Sequence, residues 1–255
     1  AIAYLTLIDI EGFEAAIREM ARVVKPGGGV LVANLTGFTS SQADRGWVRD
    51  AENRPLHYPV DRYLETRPIR SAWRGIDVVK TREPGGSPGG EVIRKLLVEG
   101  DADRWDGKTE ALLHFAARAD HLARTIRPAL EKSCWVLCDR FADSSMAYQG
   151  YGHGLGPAFI QTLYDLVVGD EGPELTLIFD LPVEEGLKRA AARAGGEDRY
   201  EGMDMAFHER LRAAFLDIAA NAPERCVVID AGQDMDAVTA AMIAAVCRRF
   251  GLEER

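Results

Sequence analysis

The sequence is poor in cysteine and has no long hydrophobic run. Only four of its 255 residues are cysteine, at positions 134, 138, 226 and 247, and none forms a Cys-x-x-Cys pair or a zinc-like Cys/His spacing. Buried, reduced thiols are therefore expected, which favours a reducing, cytoplasmic compartment. No apolar stretch approaches the roughly 18 residues of a membrane span and no signal peptide is visible, so no membrane partner is expected.

The charge of the chain is acidic and unevenly distributed. The formal net charge is −9, and the excess of acidic residues falls entirely within 79–255. An acidic surface disfavours binding to a phosphate backbone, so nucleic acid is not an expected partner. With 255 residues, the chain is long enough for one large α/β domain or two small ones, and 47% hydrophobic residues suffice to form a core.

The N-terminal part of the sequence differs in pattern from the rest. Residue 1 is Ala and lies inside an apolar run, which predicts that the true start of the chain is missing. The spacing of apolar residues predicts a strand over 1–8, a helix over 11–24 that ends at Pro26-Gly27-Gly28, and a buried strand over 29–35. Residues 36–75 show no clear periodicity.

From residue 76 onward, apolar strands alternate with helical patterns. Strands are predicted over 76–81, 134–139, 175–181 and 226–230. A helix is predicted over 90–99 and a long helical region over 109–132, with breaks near Asp120 and Arg127-Pro128. A helix-rich segment follows the strand 134–139 and runs to 168. Further helices are predicted after the strand 175–181 through 194, over 201–220 and over 234–250. This alternation predicts a parallel sheet that helices cover on both faces.

Charged side chains follow several of these strands. Ligands of a parallel α/β sheet bind beyond the carboxyl ends of its strands, where this sequence places Arg82 and Asp139-Arg140. Arginine suits phosphate oxygens, although either arginine alone is equally consistent with a structural ion pair. The two together favour an anion site.

A second group of residues suggests recognition of a flat ring. Phe115 and Arg118 are three positions apart and share a helix face, which suits a carbonyl-bearing base, although a core residue beside a surface residue is the simpler explanation. Polar residues follow at 144–150. A basic cluster around Gly195-Gly196 predicts either a lid over polyphosphate or a solvated helix face; its members are Lys188, Arg189, Arg193 and Arg199.

Several motifs resemble those of one family. TREPGGSPGGEVIRKLL (81–97), RWDGKTEALLHFAARADHL (104–122), WVLCDRFADSSMAYQGYG (135–152), LTLIFDLPVEEGLKRAAAR (175–193) and DRYE (198–201) occur in the order and spacing of bacterial thymidylate kinases. The resemblance covers residues 76–255. It implies a three-layer α/β fold of the P-loop nucleoside monophosphate kinase type, with ATP and dTMP as substrates, Mg²⁺ as cofactor and a homodimer as the usual assembly.

The resemblance also implies roles for individual residues. Arg82 and Arg140 would hold the dTMP phosphate, Phe115 would stack on thymine and Arg118 would bond its carbonyl edge. Ser145 and Gln149 would lie near the base, and Tyr148 would lie against the sugar. Asp139 would belong to the magnesium and phosphoryl-transfer end, and the lid would supply Arg189, Arg193 and Arg199.

One expected motif is missing from the 255 residues. A Walker-A loop, GxxxxGK[ST], would cradle the ATP phosphates, but the only Gly-Lys-Thr, Gly107-Lys108-Thr109, follows no strand and resembles an ordinary helix start of the same family. The donor site is therefore expected to be incomplete and turnover to be low. A non-catalytic dTMP-binding or interaction protein is the alternative.

Residues 1–75 resemble a different family. The segment YLTLIDIEGFEAAIREMARVVKPGGGVLVAN (4–34) is similar to the C-terminal half of a class I S-adenosylmethionine-dependent methyltransferase, without its cofactor loop. The chain is thus predicted to have a methyltransferase-like fragment over 1–75 and a kinase-like domain over 76–255. A methyltransferase remnant is a third functional hypothesis. The strand–helix–strand over 1–35 is predicted to fill the gap left in the kinase sheet.

Overall fold

The computed structural model describes residues 48–49, 55–57, 69–73, 76–99, 104–191 and 203–251. The predicted strand–helix–strand over 1–35, its predicted place in the kinase sheet, and the predicted lid residues Arg193 and Arg199 lie outside these ranges. The methyltransferase resemblance of 1–75 likewise falls almost wholly outside them and stays a prediction.

Seven strands form three sheets in the described residues. A short pair, β1 (Val48–Arg49) and β2 (Pro55–His57), is antiparallel. A three-stranded sheet has the order β3-β4-β5, and a two-stranded parallel sheet contains β6 and β7. The bounds are Ile69–Trp73 for β3, Ile76–Arg82 for β4, Trp135–Asp139 for β5, Thr176–Asp180 for β6 and Cys226–Asp230 for β7.

Helices follow the strands as the sequence pattern predicts. Their bounds are α1 Pro88–Val98, α2 Gly107–His121, α3 Arg127–Leu130, α4 Ala142–Ser145, α5 Pro157–Val167, α6 Val183–Ala191, α7 Met205–Asn221 and α8 Met235–Phe250. Two π-helical segments, Leu122–Ile126 and Met146–Gly152, continue α2 and α4. None of the helices within the described ranges is long and apolar enough to cross a membrane.

At the two places where the sequence predicts breaks in the long helical region, the helix changes type without ending, and one strand differs from the prediction of a parallel sheet. A π-helical segment begins directly after His121, and α-helical geometry returns at Arg127. Strand β3 pairs antiparallel with β4, with Trp73 opposite Ile76. Only two residues separate these strands, and so short a connection permits only an antiparallel hairpin.

The larger sheets share two hydrophobic cores. Side chains on one face, including Trp135 and Leu137 of β5 and Leu177 of β6, pack with α8 around Met242. Side chains on the other face, including Val136 and Cys138 of β5 and Ile178 of β6, pack with α7. Because successive residues of one strand enter opposite cores, the sheets lie in the middle layer of a three-layer fold.

Candidate functional site

The carboxyl ends of β4 and β5 form the edge at which the candidate site lies. The parallel register places Arg82 opposite Asp139, and the backbone N–H of Glu83 donates to the carbonyl of Asp139 at 2.8 Å. The predicted strand ends are therefore neighbours in space. The charged side chains of Arg82, Asp139 and Arg140 therefore leave the sheet at the same edge.

Arg82 forms an ion pair at this edge. Its Nη2 lies 3.1 Å from Oε2 of Glu91 in α1, and both side chains are mostly buried. The other carboxylate oxygen of Glu91 accepts from the backbone N–H of Gly86 at 2.9 Å. Glu91 thus orients the guanidinium and pins the turn that connects β4 to α1.

Arg140 directly follows β5 in a left-handed backbone conformation, with φ +64°. Few residues other than glycine adopt this conformation, and such positions concentrate at functional sites. The guanidinium carbon lies 5.4 Å from the ring centroid of Tyr148, and Nη1 donates to Oγ of Ser144 at 3.5 Å. Tyr148 packs edge-on against Phe207 of α7 at 6.3 Å between ring centroids.

Phe115 and Arg118 lie together in the interior. Each is only 2% exposed, so Arg118 is not the surface residue that the simpler explanation of this pair requires. Its guanidinium carbon lies 4.4 Å from the ring centroid of Phe115 and 5.1 Å from that of Phe141. Buried guanidinium groups need charged or hydrogen-bonded partners, and Arg118 has two in the described residues.

The partners of Arg118 are Glu83 and Ser145. Its Nε donates to Oε2 of Glu83 at 2.8 Å, and Nη2 donates to the buried hydroxyl of Ser145 at 3.2 Å. The predicted base-binding residues Phe115, Arg118 and Ser145 are thus brought into direct contact.

Gln149 belongs to an adjacent polar cluster. Its amide nitrogen donates to Oε1 of Glu110 at 2.7 Å, and both side chains are 1% exposed. Nε2 of His153 lies 3.3 Å from the same carboxylate oxygen. The amide of Gln149 therefore has a defined orientation, with its nitrogen directed toward α2.

Arg189 is the one predicted lid arginine within the described residues. Its Nε lies 2.9 Å from Oε1 of Glu185, one turn earlier in α6, and its Nη1 donates to the carbonyl of Ala231 at 3.2 Å. These contacts place it beside the turn that follows β7. A phosphate-facing role for it stays a prediction.

Sequence reasoning missed three side chains of the site. Glu83 is 4% exposed and accepts hydrogen bonds from Arg118 and, at 2.9 Å, from Nδ1 of His121. His121 is fully buried, and its Nε2 lies 2.6 Å from Oγ1 of Thr81. One signal was available: His121 stands three residues after Arg118 and so shares its helix face.

Glu83, His121 and Cys138 form the one metal-like grouping found among the described residues. Their donor atoms all lie within 4.8 Å of one another. Hydrogen bonds already join Glu83 to His121, and Sγ of Cys138 lies 3.1 Å from the carbonyl of Arg140. Burial raises the pKa of the Cys138 thiol well above its ordinary value, and Glu83 adds to the shift, so the thiol is protonated and already has a partner.

The N-terminus of α1 is held to α2. Asp120 accepts from the hydroxyl of Ser87 at 2.7 Å and from the backbone N–H of Gly89 at 3.0 Å. The Ser87 hydrogen bond is the main cause that lowers the pKa of Asp120. These contacts hold the turn between β4 and α1 against the helix that carries Phe115 and Arg118.

Gly107-Lys108-Thr109 lies in the first turn of α2, as expected for a helix start. Asp106 caps this helix and accepts from the backbone N–H groups of Lys108 and Thr109 at 2.9 and 3.2 Å. The amides of this turn are thus used within the helix terminus.

Comparison with known proteins identifies the family. The model of the thymidylate kinase family matches residues 70–242. The chain belongs to the thymidylate kinase family. A thymidylate kinase of Caulobacter vibrioides is 58% identical over 178 residues, which are 70% of this chain and 85% of that protein. One of Rhizorhabdus wittichii is 52% identical over 176 residues, 68% of this chain and 84% of the relative.

A solved structure supports the same assignment for the fold. The crystal structure of thymidylate kinase from Ehrlichia chaffeensis aligns with a TM-score of 0.52 at 36% identity, over 66% of this chain and 78% of that chain. The family indicates a nucleoside monophosphate kinase-type α/β fold and a phosphotransferase. The match from residue 70 includes most of β3.

Proposed function

We propose that this chain binds dTMP at the edge formed by β4 and β5, and that the reaction served by this site is phosphoryl transfer from ATP to dTMP, giving dTDP and ADP. The observation that carries the proposal is the buried contact of Phe115 with Arg118, next to the aligned strand ends that hold Arg82 and Asp139. Family membership supplies the substrate class.

The base would bind beside the interior pair. Phe115 offers an aromatic face, Arg118 offers donors for a carbonyl edge, and Ser145 and Gln149 supply polar atoms nearby. Aromatic stacking combined with a guanidinium suits a planar ring that carries carbonyl groups. Tyr148, packed against Phe207, would lie against the sugar.

The phosphate would bind between two arginines. Arg82 is oriented by Glu91, and Arg140 is oriented by its left-handed backbone and the ring of Tyr148. Guanidinium groups bind phosphate oxygens in a two-pronged geometry. Positioning and charge stabilisation supply most of the catalysis in phosphoryl transfer.

Asp139 fits the requirement of a magnesium ligand. It lies at the carboxyl end of β5 opposite Arg82, and carboxylate oxygens are the ligands that Mg²⁺ prefers. When bound, Mg²⁺ would neutralise charge on the phosphates of ATP. The chain itself would contribute the Asp139 carboxylate and the Arg140 guanidinium, which stand at adjacent positions.

The second part of the proposal concerns the half of the site that would bind ATP, the phosphoryl donor. The 255 residues contain no GxxxxGK[ST] motif, whose amides and lysine hold ATP phosphates in related enzymes. We therefore expect dTMP to bind and ATP to bind poorly, with turnover far below the roughly 1–100 s⁻¹ usual for kinases. This absence favours a non-catalytic dTMP-binding protein as the second candidate.

Calorimetric titration of the purified chain tests this proposal, first with dTMP, then with thymidine and then with ATP–Mg²⁺. Arg140→Met should weaken dTMP binding about tenfold or more and leave thymidine binding unchanged, because only dTMP carries the phosphate. Arg127→Met is the matched control, since Arg127 pairs with Glu171 on the surface.

The outcomes separate the candidates. Binding of dTMP without ATP supports an acceptor site without its donor partner, and kinase-like turnover contradicts the expected donor defect. Binding of neither nucleotide contradicts the whole proposal. Titration with S-adenosylmethionine tests the methyltransferase hypothesis for 1–75.

The setting of this function follows from the same family. We propose a cytoplasmic protein, supported by four free, buried cysteines, which suit a reducing compartment. A homodimer is proposed from family membership and is checked by light scattering.

A further inference from the structure

A chain of buried hydrogen bonds lies behind the proposed base-binding pair. Thr81 Oγ1 lies 2.6 Å from Nε2 of His121, and Nδ1 of His121 lies 2.9 Å from Oε1 of Glu83. The other oxygen of Glu83 accepts from Nε of Arg118 at 2.8 Å. The relay Thr81–His121–Glu83–Arg118 thus crosses three times between the end of β4 and α2.

The chemistry of the groups gives the relay a direction. A carboxylate can only accept hydrogen bonds, so Nδ1 of His121 must carry the proton that faces Glu83. In the neutral ring, Nε2 is then an acceptor, and the hydroxyl of Thr81 is its donor. Glu83 therefore fixes the tautomer, and Thr81 completes it because its hydroxyl can donate to the unprotonated Nε2.

The histidine ring is buried and lies close to the backbone of Gly86. His121 is 0% exposed, and a Cβ atom placed on Gly86 would lie 2.4 Å from Nε2. Only a residue without a side chain fits at position 86. The ring is thus held by a hydrogen bond at each nitrogen and by close packing beside Nε2.

The relay determines the orientation of Arg118. Glu83 holds Nε, Ser145 holds Nη2, and the rings of Phe115 and Phe141 lie within 4.4 and 5.1 Å of the guanidinium carbon. The remaining nitrogen, Nη1, is buried and has no hydrogen-bond partner among the described residues. A buried donor in this state is costly unless a ligand completes it.

We propose that Thr81, His121 and Glu83 are positioning residues that aim Nη1 of Arg118 at a carbonyl oxygen of the bound base. None of the three touches the ligand, and each acts through the next. The identity of the ligand rests on the proposed function, whereas the orientation of Arg118 in the free protein does not.

A matched pair of substitutions separates the two nitrogens of His121. In His121→Asn, the amide reaches the place of Nδ1 and can still donate to Glu83. In His121→Gln, the amide reaches the place of Nε2, meets Thr81 and leaves Glu83 without this donor. Both variants lose the ring and both keep an amide, so a merely structural role would affect them alike.

Two readouts test the relay. Calorimetry should show dTMP binding by His121→Asn within about threefold of the original chain and by His121→Gln weakened about tenfold or more. In the ligand-free protein, the ¹⁵N resonance of the Arg118 Nε–H should move in His121→Gln and stay in place in His121→Asn. Equal binding by both variants, or equal loss, overturns the proposal.

Substitution of Thr81 provides an independent test of the relay. Thr81→Val removes the hydroxyl at constant shape and should weaken dTMP binding about threefold to tenfold, and Thr81→Ser should restore it. The ¹⁵N shifts of His121 should report the Nδ1–H tautomer in the original chain and in Thr81→Ser. Unchanged dTMP binding by Thr81→Val contradicts the role of Thr81.

The two readouts also distinguish this inference from the proposed function. If the original chain does not bind dTMP, the proposed function fails, and the Arg118 resonance alone then decides whether the relay orients the guanidinium. If dTMP binds equally to all variants, the function stands and the relay is refuted.

Discussion

The cysteine side chains show how packing determines the reactivity of single residues. All four are free and buried. Burial raises the pKa of Cys226 to about 12 and raises that of Cys138 well above its ordinary value, with the charge of Glu83 adding to the second shift. Because the thiolate is the reactive form, these two thiols are protonated and inaccessible at neutral pH.

We therefore expect Cys138 and Cys226 to resist alkylation in the native protein at pH 7 and equally at pH 9. A raised thiol pKa keeps the protonated form dominant through this whole range, so raising the pH adds little thiolate. Iodoacetamide labelling followed by peptide mass spectrometry measures this, with the urea-unfolded chain as the fully labelled control. Rapid native labelling of either residue would contradict the assignment of both as buried thiols.

At the scale of elements, the turn from β4 to α1 brings the parts of the site together. It carries Glu83, donates a hydrogen bond from the hydroxyl of Ser87 to Asp120 of α2, and contains Gly86 at φ +73°. A Cβ atom on Gly86 would lie 2.3 Å from Oγ1 of Thr81 as well as against His121. Gly154 has almost the same φ, +72°, but a Cβ atom placed on it would have no neighbouring atom within 4 Å.

Alanine substitutions at these two glycines separate backbone strain from steric conflict. Gly154→Ala should lower the free energy of unfolding by about 1 kcal/mol, the usual cost of a left-handed non-glycine residue. Gly86→Ala should cost about 2 kcal/mol more, because Thr81 or His121 must move. Urea unfolding measures both changes, and only Gly86→Ala should weaken dTMP binding. Equal losses of stability would show that the relay tolerates a Cβ atom.

At the scale of the whole molecule, one ion pair links the two larger sheets. Arg225, just before β7, makes two hydrogen bonds of 2.7 Å to Asp143 in α4, which follows β5. Thr176 at the start of β6 donates to Asp143 and accepts from Arg225. Burial works against the charge of Arg225, but the hydrogen bonds and charge of Asp143 outweigh it and raise its pKa.

Breaking this pair should destabilise the fold as a unit. Asp143→Leu and Arg225→Met should each lower the free energy of unfolding by about 3 kcal/mol, because each leaves a mostly buried charge without its partner. The double variant should lose much less than the sum. Removing the exposed Arg127–Glu171 ion pair should lower the free energy of unfolding by about 1 kcal/mol or less. Additive losses in a urea-unfolding cycle would refute the coupling.

Prediction from sequence succeeded where a signal is local. The order of strands and helices from 76 onward follows from periodicity, caps and proline. The adjacency of Arg82 and Asp139 followed from the rule that parallel strand ends meet at one edge. Strand β3 was missed because its segment shows no clear periodicity.

The sequence by itself determined the family, the succession of elements and the residue types at the strand ends, since each is recorded in local patterns or motifs. Only the tertiary structure decided that Arg118 is buried, that Glu83 and Ser145 hold it, and that His121 holds Glu83. The partners in these contacts are 27 to 38 residues apart. Periodicity tells which face of a helix is buried, but only the packing of that helix against the sheet determines which side chains meet there.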